Sequence, residues 1–152
     1  MGIFYSKQKI PKNLSVKNVK PFIPPVTKGR VIQCYDGDTI TIAAYLHFRK
    51  SPLYKFHVRI FGIDCPEIRT SNANEKKVAI IARDLLAEKI MGSIVELKNI
   101  SLDKYGRLLA VVFFKNESIG DWLLQQNLAV SYDGGKKDPP ENWLDYYYHK
   151  EV

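Results

Sequence analysis

The spacing of apolar and polar positions changes several times along the chain, and each change marks an element. Tyr54 to Ile63 (YKFHVRIFGI) alternates over several residues, as a half-buried strand does. Arg30 to Tyr35 and Thr39 to Leu46 are short, β-branched and aromatic, and read as two strands before it. Ser51-Pro52 supplies a turn between the second and third. In Asn74 to Met91 the period lengthens: Val78, Ala82 and Leu85, with Ile81 and Ile90 nearby, recur at three- and four-residue spacing and predict a helix. Asn74 is the expected N-cap, and Gly92 stands where the C-terminal cap belongs. Ser93 to Asn99 and Leu108 to Phe114 are two further strands, and Ser118 to Asn127 is a short amphipathic helix. Asp138 and Pro139-Pro140 are placed to open a last helix.

Three strands, a helix, two strands and then helices do not fit βαβ alternation. They fit an α+β, mainly β architecture: a small closed five-stranded barrel, such as the OB-fold, with about three helices. The first 28 residues carry neither period, and Pro11, Pro21, Pro24 and Pro25 oppose a regular element there. The expected organisation is an extended arm over residues 1–28 and one domain over 29–152.

Composition changes this picture little. Of 152 residues, 45% are hydrophobic and 26% charged, as in an ordinary globular domain with a real core. The longest apolar run, Leu108 to Phe114, is far short of the roughly 20 residues that span a bilayer. Nothing near the start resembles a secretory signal. Cys34 and Cys65 suit a reducing, intracellular compartment and are expected as free thiols in a monomer, with no disulfide.

Charge changes it more. The chain has 23 Lys and Arg against 16 Asp and Glu, a net +7. Residues 1–30 hold seven bases and no acid, so residues 31–152 balance at 16 of each. The excess is a basic arm on a neutral body, and any anion-binding site in that body must make its own local field.

Three blocks carry candidate chemistry. In Asp36-Gly37-Asp38-Thr39, two carboxylates two apart point to one side of an extended chain, and Gly37 permits a bend between them. Hard cations favour such oxygens, although Asp-Gly is also a common hairpin turn. In Arg59 to Glu67 (RIFGIDCPE), an apolar strand ends in Asp64, Pro66 and Glu67 at a barrel rim. Arg59 is five residues before Asp64 and lies on the opposite pleat face unless the chain bends at Gly62. Asp103 to Arg107 (DKYGR) is by itself a charged turn before a strand.

Taken in order, DGDT, VRIFGIDCPE and DKYGR, with a helix between the last two, resemble the staphylococcal-nuclease-like (thermonuclease) family from about Gly29 to Tyr132. That family has a five-stranded OB barrel with three helices, and its members are calcium-dependent phosphodiesterases acting on DNA and RNA. The resemblance implies one calcium ion held by Asp38, Asp64 and the backbone carbonyl of Cys65, with Asp36 orienting water or ligands. It implies Glu67 as general base, Arg59 and Arg107 on the phosphate and its five-coordinate transition state, and Lys104 and Tyr105 on a substrate phosphate. Tyr132 is the nearest candidate for packing on a nucleotide, with Asp133 where an aromatic residue is expected. Cys65 replaces a common threonine, which a backbone ligand tolerates but which introduces a thiol open to oxidation. The chemistry is coherent without the name: a cation neutralises an anionic diester, arginines fork onto its oxygens, and a carboxylate activates water. The alternative is a non-catalytic OB domain of the same family that binds nucleic acid or protein and is tethered to a membrane.

His47, His57 and His149 show no ligand spacing and read as structural or surface residues. Met1-Gly2-Ile3-Phe4-Tyr5-Ser6 matches the N-myristoylation pattern, with Gly2 as acceptor. One acyl chain needs a second signal, and the basic arm facing an anionic leaflet is such a signal. The expected address is peripheral, on the cytoplasmic face of a membrane, or otherwise cytoplasmic.

Overall fold

A computed structural model of the chain describes residues 8–149. Gly2 and its acylation pattern lie outside them. Residues 8–27 hold one 3-10 turn, Val16–Asn18, and are largely exposed. Val26 is fully buried in the core, and the Thr27 carbonyl accepts a hydrogen bond from the Leu97 amide at 2.8 Å.

Five strands close the expected barrel: β1 (Lys28–Cys34), β2 (Thr39–Tyr45), β3 (Leu53–Ile60), β5 (Ile94–Leu102) and β6 (Leu108–Phe114). β2 pairs antiparallel with both β1 and β3, β1 with β5, and β5 with β6. A short parallel pairing, Val58–Ile60 on Leu108–Ala110, joins β3 to β6 and removes both edges. Two-residue strands complete the sheets: β4 (Ile63–Asp64) pairs with β8 (Val130–Ser131), and β7 (Glu117–Ser118) extends β6.

The core is aliphatic, with Ile40, Ile42, Val58, Ile60 and Val112 inside the barrel. Helix α1 (Ala73–Ile90) covers it with Val78, Ala82, Leu86 and Ile90, a four-residue stripe, while Ile81 and Leu85 flank it half-buried. The helix starts earlier than expected. Its cap is Asn72 rather than Asn74, because the Asn72 side chain accepts from the Glu75 amide at 3.0 Å. Ser118 caps α2 (Ile119–Gln125).

Helix α3 (Trp143–Tyr148) is capped by Asn142, which accepts from the Leu144 and Asp145 amides, and not by Asp138. Pro139-Pro140 therefore lie in irregular chain ahead of the helix. Trp143 is buried in the core, whereas Tyr148 is exposed. The third strand also ends sooner than its pattern suggests, at Ile60, because Phe61-Gly62 turns the chain and Gly62 has φ +85°. Among the described residues no helix is long and apolar enough to cross a membrane.

Candidate active site

Four segments that connect these elements meet around one cleft of about 560 Å³. They are the β1–β2 turn, the bend after β3, the β5–β6 turn and the chain after β8. Asp36, Asp38, Arg59, Cys65, Glu67, Lys104, Tyr105, Arg107 and Tyr132 all line it. Asp64 lines a smaller adjoining cavity with Cys65, Glu67 and Trp143.

Arg59 is the hub. The left-handed bend at Gly62 swings Asp64 back, so the two meet despite starting on opposite pleat faces: Arg59 Nη2 lies 3.3 Å from Asp64 Oδ1. The same nitrogen is 3.3 Å from Asp38 Oδ2. Nη1 donates to the Ile60 and Ile63 carbonyls at 2.9 Å each, and the guanidinium sits over the Tyr132 ring, 5.9 Å from its centre. This buried cation makes it possible to bury two carboxylates beside each other. Asp38 also accepts from the Cys65 amide at 3.0 Å and from the Thr39 hydroxyl at 3.1 Å. Burial nevertheless holds Asp64 above the usual carboxylate range, against the opposing pull of Lys137.

The chain bends at Asp36-Gly37-Asp38 as expected, but Gly37 has a second, steric reason to be glycine. Its φ is not left-handed. A Cβ there would lie 2.9 Å from both Ala82 Cβ and Cys65 Sγ, so only glycine lets the turn lie against α1. Asp36 Oδ1 accepts from the Asp38 amide at 3.2 Å. Burial, and then the charge of Asp38, push Asp36 up to about 7. Burial likewise pushes Cys34 up to about 11 and Cys65 well above the usual thiol range. Both are free and buried, so the oxidation expected at Cys65 is disfavoured: thiolate is scarce and access is closed.

In the β5–β6 turn, which also lines the cleft, Asp103 organises the basic residues. Its Oδ1 accepts from the Tyr105 and Arg107 amides at 2.9 Å each, and its Oδ2 from Arg107 Nε at 2.6 Å. Burial opposes these bonds, but they win and hold Asp103 below the usual carboxylate range. With Nε committed, the terminal nitrogens of Arg107 face Thr39 Oγ1, 3.5 Å from Nη1. Tyr105 is exposed, with Lys104 and Arg107 on its ring. The Tyr132 hydroxyl donates to the Gly135 carbonyl at 3.1 Å, and Asp133 caps the same turn by accepting from the Gly135 amide at 2.8 Å.

Three participants escaped the sequence reading. Asp103 was visible only as part of a charged turn. Glu75 anchors the Glu67 loop by accepting from the Glu67 amide at 3.0 Å and the Thr70 hydroxyl at 2.8 Å. Lys137 Nζ stands 3.0 Å from Asp64 Oδ1 and 2.9 Å from Glu67 Oε1. Burial lowers its basicity, but the two carboxylates outweigh that and raise it above the ordinary lysine range. No local sequence signal marks a lysine 70 residues from its partner.

Comparisons with known proteins agree with this geometry. Residues 57–149 match the staphylococcal nuclease homologue family. A Schizosaccharomyces pombe protein named as a probable endonuclease is 33% identical over 144 residues, 86% of this chain and 63% of that protein. A Haemophilus influenzae protein named as an uncharacterized endonuclease is 33% identical over 110 residues, 72% of this chain and 55% of its own length. A Komagataella phaffii protein named as a probable endonuclease is 28% identical over 90 residues, 57% of this chain and 40% of that protein. The chain thus spans less than two thirds of each of these relatives. With a matched segment running from His57 in β3 to His149 just after α3, and with the barrel closed around it, the chain belongs to the staphylococcal nuclease homologue family.

Proposed function

We propose that the protein is a divalent-cation-dependent nuclease that hydrolyses phosphodiester bonds in DNA or RNA, with calcium as the cation. The observation that carries the reading is a cleft that gathers carboxylates and arginines in one place. Asp38 and Glu67 line it together with Arg107, which Asp103 aims, and Asp64 joins them from the adjoining cavity through its ion pair with Arg59. The relatives named as endonucleases support the same reaction class.

The donor set suits a hard cation. Asp38 and Asp64 present carboxylate oxygens, and two cationic side chains, Arg59 and Lys137, are drawn onto the Asp64 carboxylate. Among the described residues no three acidic, histidine or cysteine side chains converge on one point, so water, a backbone carbonyl such as that of Cys65, and the substrate would complete the coordination. A bound cation would neutralise the phosphate and orient the attacking water. Glu67, exposed at the cleft, would take the proton of an attacking water. Arg107 presents a planar pair of donors to the phosphate oxygens as their charge grows, whereas Arg59, also expected on the phosphate, has both terminal nitrogens committed and fixes Asp38 relative to Asp64. Lys104 and Tyr105 line the cleft beside Arg107.

The test is cleavage of plasmid, single-stranded DNA and RNA by the purified chain in calcium, magnesium or manganese, and in chelator. Cleavage that needs calcium and falls at least 100-fold in Arg107→Ala is expected, the size of loss seen when one transition-state donor is removed. No cleavage in any cation sinks the reading.

A further inference from the structure

We propose that Lys137 is a tethered counter-cation that competes with a divalent cation for the Asp64 and Glu67 carboxylates, and so sets the cation concentration at which the site works. The inference rests on the nuclease reading of the same cleft. Its starting point is the bridge itself, with one ammonium within 3.0 Å of two carboxylates that belong to different roles. Asp64 is a proposed cation ligand, and Glu67 is the proposed base.

Lys137 differs from the other cation beside Asp64. Arg59 is buried and tied to two backbone carbonyls as well as to Asp38 and Asp64, so it is part of the scaffold. The Lys137 side chain is 46% exposed and that of Glu67 is 58% exposed, so this contact opens into solvent without disturbing the core. Exposed pairs of this kind contribute little to stability. The chain leading to Lys137 is well formed: Gly134 has φ +94°, and Asp133 and Tyr132 both bond to Gly135. The ammonium is thus delivered close to its carboxylates on a short tether, at a high local concentration.

A divalent cation arriving at Asp64 meets a like charge within 3.0 Å of the oxygen it seeks. Either the ammonium leaves or the cation binds against its repulsion. While Lys137 holds Glu67, the base is also committed to an ion pair. Cation binding and release of the base are therefore coupled through one side chain.

The experiment measures calcium affinity by titration calorimetry on the full chain without nucleic acid, alongside the calcium concentration for half-maximal cleavage. Lys137→Met and Lys137→Gln remove the charge, and Lys137→Arg keeps it. Both neutral variants should bind calcium about two- to fivefold more tightly and reach half-maximal cleavage at correspondingly lower calcium, with Lys137→Arg near wild type. Circular dichroism melting should be unchanged within a few degrees, and Lys137→Gln stands in if the methionine variant misfolds. Wild type that binds calcium while both neutral variants bind no more tightly overturns the proposal and leaves the nuclease reading standing. Absence of divalent binding in every variant overturns both.

Discussion

Gly37→Ala isolates a single steric demand at the centre of the site. The added Cβ would sit 2.9 Å from Ala82 Cβ, 2.9 Å from Cys65 Sγ and 3.1 Å from Cys65 Cβ. Carbon atoms pack best at about 3.5–4.0 Å, so the turn must retreat by roughly 0.6–1 Å. Neither neighbour can yield easily. Ala82 is fully buried on α1, and Cys65 is buried with its amide bound to Asp38. Because φ at Gly37 is not left-handed, alanine brings no backbone strain and the cost is packing alone. Overpacking of this kind costs about 1–3 kcal/mol, offset by the roughly 0.4–1 kcal/mol that alanine contributes by restricting the unfolded chain. The net runs from about 0 to 2.6 kcal/mol with a midpoint of about 1.3, which corresponds to a melting temperature about 3–5 °C lower at this chain length. Asp38 is the next residue, so the retreat moves its carboxylate away from Arg59 and Asp64, and cleavage should fall about tenfold or more. Adding Ala82→Gly removes one of the contacts and should recover activity more than stability, since glycine weakens the helix. A Gly37→Ala protein with wild-type melting and wild-type cleavage would refute the account of why glycine stands there.

Asp103→Asn keeps the turn's shape but loses the charge that aims Arg107. Single-turnover cleavage should fall about tenfold or more, with melting lowered by only a few degrees, and an unchanged rate would remove Asp103 from the machinery. Cys34 and Cys65 should resist alkylation in the folded protein at pH 8 and react after denaturation; with Cys34 near 11, only about one molecule in a thousand carries its thiolate at that pH. Asp36 titrates near 7 when folded and near 3.8 when unfolded, so the native state binds the extra proton between these values and Asp36 costs stability as pH rises from about 4 to 7. In chelator, Asp36→Asn should therefore be more stable than wild type at pH 8, with the advantage gone at pH 4; a pH-independent difference in urea midpoints would contradict this. Deleting residues 1–25 removes five lysines but leaves buried Val26, and should flatten the salt dependence of nucleic-acid binding by up to about four units of log–log slope while cleavage persists.

Local pattern was enough for the parts of this protein that are local. A strand's period depends on neighbours two residues away, and a helix's on neighbours three or four away, so all five barrel strands and three helices were legible, with ends misplaced where a side-chain cap or the turn at Gly62 decided them. Asn72 outcompeted Asn74, and Asn142 outcompeted Asp138, because capping depends on which oxygen reaches which amide. The three short motifs also announced their chemistry, since their residue types sit within a few positions of one another. What tertiary structure alone decided is what those motifs touch. The bend at Gly62 turned Arg59 and Asp64 from opposite faces into an ion pair. Contact with Ala82 and Cys65, not backbone freedom, accounts for Gly37. Lys137 reached Glu67 across 70 residues because the chain after β8 returns over the barrel rim, a path set by long-range packing that no window of sequence contains.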